Sequence, residues 1–136
     1  MAEDDCIFCK IIAGELPAEK VAEDEHTVAF LDINPWTRGH ALVIPREHSK
    51  NLYEISDDDL AATMAVAKRL AGTVRDKLGA AGVNLLNSCE AAAWQTVFHF
   101  HVHVIPRYEA DPLRLPGQPL QPEKGELARV ARELRE

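Results

Sequence analysis

Three histidines stand at alternate positions in His99-Phe100-His101-Val102-His103-Val104-Ile105. In an extended chain successive side chains point to opposite faces, so His99, His101 and His103 share one face at spacings of about 7 Å, while Phe98, Phe100, Val102 and Val104 share the other. The apolar face sets the register and gathers three of the chain's six histidines on one side. Two chemistries suit such a face. Histidines at H-x-H spacing on a strand can chelate zinc, whereas a neutral imidazole is a nucleophile near pH 7 whose cation binds oxyanions. Spacing leaves both open. A second constellation is Cys6-x-x-Cys9. A thioredoxin-like redox pair needs a strand before it, which the acidic and small residues preceding Cys6 do not supply, so metal binding is the better use of these thiols. Two thiolates need two further ligands for a closed tetrahedral site, and the candidates are His48 and one outer histidine of the triad. Cys89 has no basic sequence neighbour to activate it and reads as a passive small residue.

The frame that must position these groups is legible in the same way. Cys6 to Ala13 reads as a short helix closed by Gly14, and Lys20–Glu23, Thr27–Asp32 and Ala41–Pro45 read as strands of an antiparallel meander. Ser56 before three aspartates is an N-cap with acid in the first turn; Leu60, Met64, Ala67, Ala71, Val74 and Leu78 then recur at helical spacing until Gly79. Val83–Asn87 and Val97–Ile105 complete a mostly antiparallel sheet of about five strands, with one long helix and short terminal helices, an α+β class. After Tyr108, four prolines (Pro112, Pro116, Pro119, Pro122) interrupt any regular pattern before a last helix from about Gly125 to Arg135. Residues 1–107 therefore form the domain, and 108–136 are a proline-rich segment and helix appended to it.

Composition narrows the partners. A chain of 136 residues suits one domain, and 46% hydrophobic with 27% charged residues excludes collagen-like, disordered and membrane-embedded classes. A net charge of −7 disfavours a duplex nucleic-acid partner, so an anionic ligand must be small and locally held. No signal-like start and no apolar run of the ~18 residues a membrane span needs point to the cytoplasm, and three cysteines are too few for a disulfide framework.

The run from Gln95 through the three histidines to Arg107 resembles the signature of the histidine triad (HIT) family, His-apolar-His-apolar-His-apolar-apolar. The similarity extends through Cys6-Ile7-Phe8-Cys9-Lys10-Ile11-Ile12-Ala13-Gly14-Glu15, Ala29-Phe30-Leu31-Asp32-Ile33-Asn34-Pro35 and Gly39-His40-Ala41-Leu42-Val43-Ile44-Pro45, leaving only the tail after Tyr108 outside. The resemblance implies a HIT-like fold, commonly homodimeric, that binds purine nucleotides of the AMP or GMP type. It implies a hydrolase or transferase acting at the α-phosphate, of phosphoramidase or dinucleoside polyphosphate hydrolase type, through a covalent nucleotidyl-histidine. On that pattern His101 is the nucleophile and His103 assists. Gln95 and Thr96 match phosphate contacts, Asn87 matches a phosphate- and ribose-contacting asparagine, Asp32 and Ile33 match ribose and base contacts, and His40 matches a further site histidine. A zinc-bearing branch of the family matches Cys6, Cys9, His48 and His99, implying a structural zinc and no organic cofactor. The chain departs from the family at Ser88-Cys89-Glu90-Ala91-Ala92-Ala93-Trp94-Gln95, where Trp94 replaces a loop glycine. A position that needs positive φ tolerates tryptophan poorly, so either the loop takes another path or Trp94 offers its N–H from an ordinary conformation. Trp94 either covers the core or enters the nucleotide pocket. Two other functions fit the residues: a nucleotide-binding regulator with vestigial turnover, and a zinc hydrolase using all three triad histidines as ligands.

Overall fold

The long helix α2 (Asp57–Leu78) starts and stops where its flanking side chains dictate. Ser56 Oγ accepts the Asp59 amide hydrogen at 3.1 Å, and Asp57, Asp58 and Asp59 set negative charge against the helix N-terminus. Gly79, at φ 71°, turns the chain out, its backbone N–H donating a hydrogen bond to the Arg75 carbonyl. The computed structural model describes residues 3–136. Near the amino end, α1 (Ile7–Ile12) is capped by Cys6, whose Sγ accepts from the Cys9 amide, and it buries Phe8, Cys9 and Ile11.

Five strands, β1 (Lys20–Glu23), β2 (Thr27–Leu31), β3 (Ala41–Pro45), β4 (Gly82–Leu86) and β5 (Val102–Arg107), form one antiparallel sheet in the order β1-β2-β3-β5-β4. The first three make the expected meander; after α2 the chain returns at the far edge as β4, and β5 fills the gap beside β3. Val66, Ala67, Leu70 and Val74 of α2 pack on Ala29, Val43, Val102 and Val104. On the opposite face Phe8 and Ile11 of α1 cover Val28, Phe30, Leu42 and Ile44. Because both faces of β2 and β3 are covered, these strands read as continuous apolar runs rather than as alternating ones.

One expected strand is displaced. The strand read over Val97–Ile105 begins only at Val102 and runs to Arg107, because the backbone before it finds other partners. The Phe100 amide donates to the Ser49 carbonyl at 2.7 Å, and Asn87 Nδ2 donates to the His101 carbonyl at 2.8 Å. Val97–His99 is a bend, and Phe98 is exposed rather than part of the buried apolar face. The remaining shifts are single residues: β2 ends at Leu31 and β4 covers 82–86. Beyond β5, Arg107 grips Asp111 with Nε at 2.8 Å and Nη2 at 2.9 Å, and the chain runs irregularly to α3 (Glu126–Arg135), which buries none of its residues. Among the described residues no helix is long and apolar enough to cross a membrane.

Candidate functional site

Each triad histidine is fixed by a different hydrogen bond, and that bond decides which ring nitrogen can act. His99 is fully buried, and its Nε2 donates to the Pro45 carbonyl at 2.8 Å. Its Nδ1 therefore carries the lone pair, which faces Cys6 Sγ at 3.4 Å, Cys9 Sγ at 3.5 Å and His48 Nδ1 at 3.2 Å. Cys9 Sγ lies 3.4 Å from His48 Nδ1. A tetrahedral zinc with bonds of ~2.3 Å to sulfur and ~2.0–2.1 Å to nitrogen sets its ligand atoms roughly 3.3–3.8 Å apart, close to the spacings of this cluster. Two sulfurs and two imidazole nitrogens are also the donor types zinc takes, and the four residues can hold a metal ion. Burial pushes the Cys6 thiol up, and a divalent cation is the partner that offsets it. His48 Nε2 faces Glu3 Oε1 at 3.8 Å, so the ligand ring has an acidic outer neighbour.

His101 is oriented the other way. Its Nδ1 donates to the His99 carbonyl at 2.8 Å, leaving Nε2 as the unprotonated nitrogen of the neutral ring. Burial lowers the His101 pKa; the bond to the His99 carbonyl and the charge of Asp32 act in the opposite sense, but burial prevails. Phe8 presents its edge to this ring at a centroid distance of 5.2 Å.

His103 is set by a chain of three groups. The Trp36 amide donates to His40 Nδ1 at 3.0 Å, so the His40 proton sits on Nε2 and is donated to His103 Nδ1 at 2.9 Å. His103 consequently carries its own proton on Nε2. Asp32 Oδ2 lies 3.6 Å from His40 Nε2 and reinforces the arrangement. Burial holds His40 below its ordinary value against the pull of Asp32, and brings His103 down to about 4, with His101 and His40 adding and Asp32 opposing. At neutral pH all three rings are uncharged: one bare nitrogen on His101 and one N–H on His103.

These groups open on a cavity of about 610 Å³. Of the expected ligand contacts, Asp32, Ile33, Trp94, Thr96, His101 and His103 line it. Three others do not line it, and their side chains are held by other partners. His40 lies behind His103, and Asn87 holds the His101 carbonyl. Gln95 is buried, its Oε1 accepting from the Glu90 amide and its Nε2 donating to the Lys50 and Val97 carbonyls. An amide so committed braces the loop. Trp94 does what its residue type disfavours: it takes φ 78°, ψ 18°, and its amide closes a turn on the Ala91 carbonyl. Its indole is 66% exposed at the cavity, so the core-covering reading does not hold. Sequence reasoning passed over Trp36, which lines the same cavity and stacks on His103 with 3° between planes. The available signal was an apolar ring in a polar turn four residues before His40. A larger groove of about 740 Å³ between α2 and the outer strands contains no cysteine or histidine.

The sequence matches the HIT domain family over residues 13–110. It is 49% identical over 105 residues to "Protein hit" of Bacillus subtilis, covering 77% of this chain and 72% of that one. A crystal structure of a Zn-bound histidine triad family protein from Mycobacterium smegmatis superposes with a TM-score of 0.79 at 41% identity, covering 96% of each chain. A histidine triad nucleotide-binding protein from Candida albicans does so with a TM-score of 0.83 at 36% identity, over 96% of this chain and 95% of that one.

Proposed function

Because this chain belongs to the HIT family, we propose that it hydrolyses or transfers the nucleotidyl group of a purine nucleotide derivative, with His101 as the nucleophile. The observation that carries the reading is the His101–His99 bond: with Nδ1 committed to a carbonyl, Nε2 is the nitrogen left for attack in a ring that lines the cavity. Nε2 donates its lone pair to the α-phosphorus, the bond from phosphorus to the leaving group breaks, and the imidazolium formed keeps its proton on Nδ1, donated as a hydrogen bond to the His99 carbonyl. With a phosphoramidate the leaving nitrogen takes a proton from solvent. Water then attacks phosphorus, the P–Nε2 bond breaks, the monophosphate departs and the proton returns to solvent. His103, with its proton on Nε2, donates a hydrogen bond to a phosphoryl oxygen in both steps. Asp32 offers a carboxylate to the ribose, and Ile33, 89% exposed at the cavity, offers an apolar surface to the base.

Zinc at Cys6, Cys9, His48 and His99 has a structural role in this reading. Held by these four residues, it would tie α1 to the segments after β3 and before β5 and steady the His99 carbonyl that orients His101. A hydrolytic zinc held by all three triad histidines is disfavoured by the same contacts, since His99 turns to the cysteines and His101 Nδ1 to a carbonyl. The homodimer belongs to the same reading; a monomeric mass in sedimentation at micromolar concentration would remove it. The test of function is product identity. An adenosine phosphoramidate should yield AMP and the free amine, and tight AMP binding without turnover would favour the regulatory reading instead.

A further inference from the structure

α3 is strongly two-sided, yet it buries none of its residues. At helical spacing Leu127, Val130, Ala131 and Leu134 fall on one stripe, and its three large members are 70%, 42% and 82% exposed. One flank of the stripe is acidic, with Glu126 and Glu133; the other is basic, with Arg132 and Arg135. A helix this short holds its shape in water chiefly by laying such a stripe on an apolar surface.

The same chain carries a groove that none of its own elements fills. The cavity of about 740 Å³ between α2 and the outer strands has Leu31, Leu70, Val74 and Leu78 at its floor and Val21, 45% exposed, at its lip. Its α2 wall carries Arg69 and Lys77, with Thr73 between them. The opposite wall carries Glu23, the last residue of β1, and Asp24. The Arg69 guanidinium lies 3.8 Å from Asp24 Oδ2, so basic and acidic walls face each other across an apolar floor.

Groove and helix are complementary in length and in charge. At about 1.5 Å per residue α3 is roughly 15 Å long, and the α2 wall from Val66 to Leu78 is roughly 18 Å. Glu126 and Glu133 stand roughly 10 Å apart along α3, Arg69 and Lys77 roughly 12 Å apart along α2. Seated with its stripe down and its acidic flank toward α2, α3 sets Glu126 and Glu133 against Arg69 and Lys77, and Arg132 and Arg135 against Glu23 and Asp24. Turned end for end it would bring like charges together on both walls, so charge selects one direction.

The chain's own α3 does not lie in this groove, since it buries nothing and no residue of it lines the cavity. The tail leaves the sheet at one end of the groove, where Tyr108 Oη donates to the Arg38 carbonyl at 2.7 Å and Arg107 holds Asp111. Between Asp111 and Gly125 four prolines favour an extended path, which at ~3.1 Å per residue reaches roughly 40 Å, enough to cross to a neighbouring copy.

We propose that the groove between α2 and the outer strands receives α3 of a second copy, so that two chains exchange their C-terminal helices reciprocally. Each copy gives one helix and receives one, which closes the pair about a two-fold axis and covers both apolar surfaces twice. This rests on the homodimer reading and supplies the surface that reading leaves unnamed.

The test measures the dimer Kd of the full chain by sedimentation. Leu127→Asp with Leu134→Asp should raise it by about a hundredfold or more, because two apolar anchors are lost in each of two grooves. Folding is not at stake in that variant, since α3 contributes nothing to the core. Arg69→Glu with Lys77→Glu should weaken the dimer by about tenfold, and adding Glu126→Lys with Glu133→Lys should bring it back to within about threefold of the parent. Position 73 lies midway along the α2 wall and position 130 midway along α3. Thr73→Cys mixed with a longer, tagged Val130→Cys chain should therefore give a disulfide between chains of different mass. A Kd unmoved by the leucine substitutions, or charge reversals that do not rescue each other, overturns the proposal and leaves a homodimer built on another face. A disulfide that forms only within a chain carrying both cysteines also overturns it, by returning α3 to its own groove. A monomeric parent at micromolar concentration removes the homodimer reading, and the exchange with it.

Discussion

His40 touches no part of the cavity, yet the hydrogen-bond chain makes it responsible for which nitrogen of His103 carries the proton. The Trp36 amide bonds His40 Nδ1 at 3.0 Å and His40 Nε2 bonds His103 Nδ1 at 2.9 Å. An asparagine at 40 keeps an acceptor near the Nδ1 position and loses the donor to His103; a glutamine does the reverse. One intramolecular hydrogen bond is worth about 0.5–1.5 kcal/mol net, so losing the His40 donor should depopulate the N–H tautomer of His103 by roughly three- to tenfold. His40→Asn should therefore lower kcat for phosphoramidate hydrolysis by about that factor. Direct removal in His103→Ala should cost about 10²–10³, the scale of one lost oxyanion donor. His40→Gln should recover most of the loss, although the orphaned Trp36 amide should reduce stability by about 1–3 kcal/mol. The assay is AMP release at saturating substrate, read beside the ¹⁵N shifts of the His103 ring. Gln below Asn in kcat, or an unchanged His103 ring signature in His40→Asn, refutes the relay as drawn.

Other expectations follow from single contacts. Cys6→Ser with Cys9→Ser should abolish metal binding and lower stability by about 2.7 kcal/mol where free zinc exceeds Kd a hundredfold, read by metal analysis and denaturant unfolding; retained metal would contradict the four-ligand site. With His103 down to about 4 and His101 lowered by burial, kcat/KM should fall on the acid side with an apparent pKa below 6.5; a midpoint at or above 6.5 would contradict neutral buried rings. The same sign governs stability: the unfolded chain takes up these protons first, so stability is full above pH ~6.5 and declines as pH falls toward the folded values, as urea titrations across that window should register. Gly39→Ala should destabilise by roughly 1–3 kcal/mol, because Gly39 has φ 89° and an added Cβ would lie 2.5 Å from Leu78 Cδ1; unchanged denaturation midpoints would contradict the turn that delivers His40.

Local rules located the elements whose signals are local. Ser56 and Gly79 bound α2 because capping depends on a side chain and an amide a few residues apart, and Cys6 opened α1 for the same reason. The alternation in 99–105 put three histidines together but not their surroundings. It implied a ladder where Ser49 and Asn87, distant in sequence, intercept the backbone. The division of labour among the rings was likewise invisible, because it depends on carbonyls at Pro45 and His99 and on an amide at Trp36. At Gln95 the pattern matched a residue, and the partners of its side-chain amide, Glu90, Lys50 and Val97, were not legible because the carbonyl of Lys50 is distant in sequence. At Trp94 the sequence posed the right question, positive φ against a bulky side chain, and the answer required the network through Asn51 and Glu90.

The central claim is that His101 Nε2 forms a bond to phosphorus. Protein mixed with an adenosine phosphoramidate and quenched within milliseconds should carry one adenylyl group, lost on acid treatment, on the peptide containing His99–His103. In His101→Ala the adduct should vanish and kcat should fall by several orders of magnitude, each tenfold being about 1.4 kcal/mol of lost transition-state stabilisation. Near-normal AMP release by purified His101→Ala, or turnover of the parent with no adduct on that peptide at any quench time, would contradict the account.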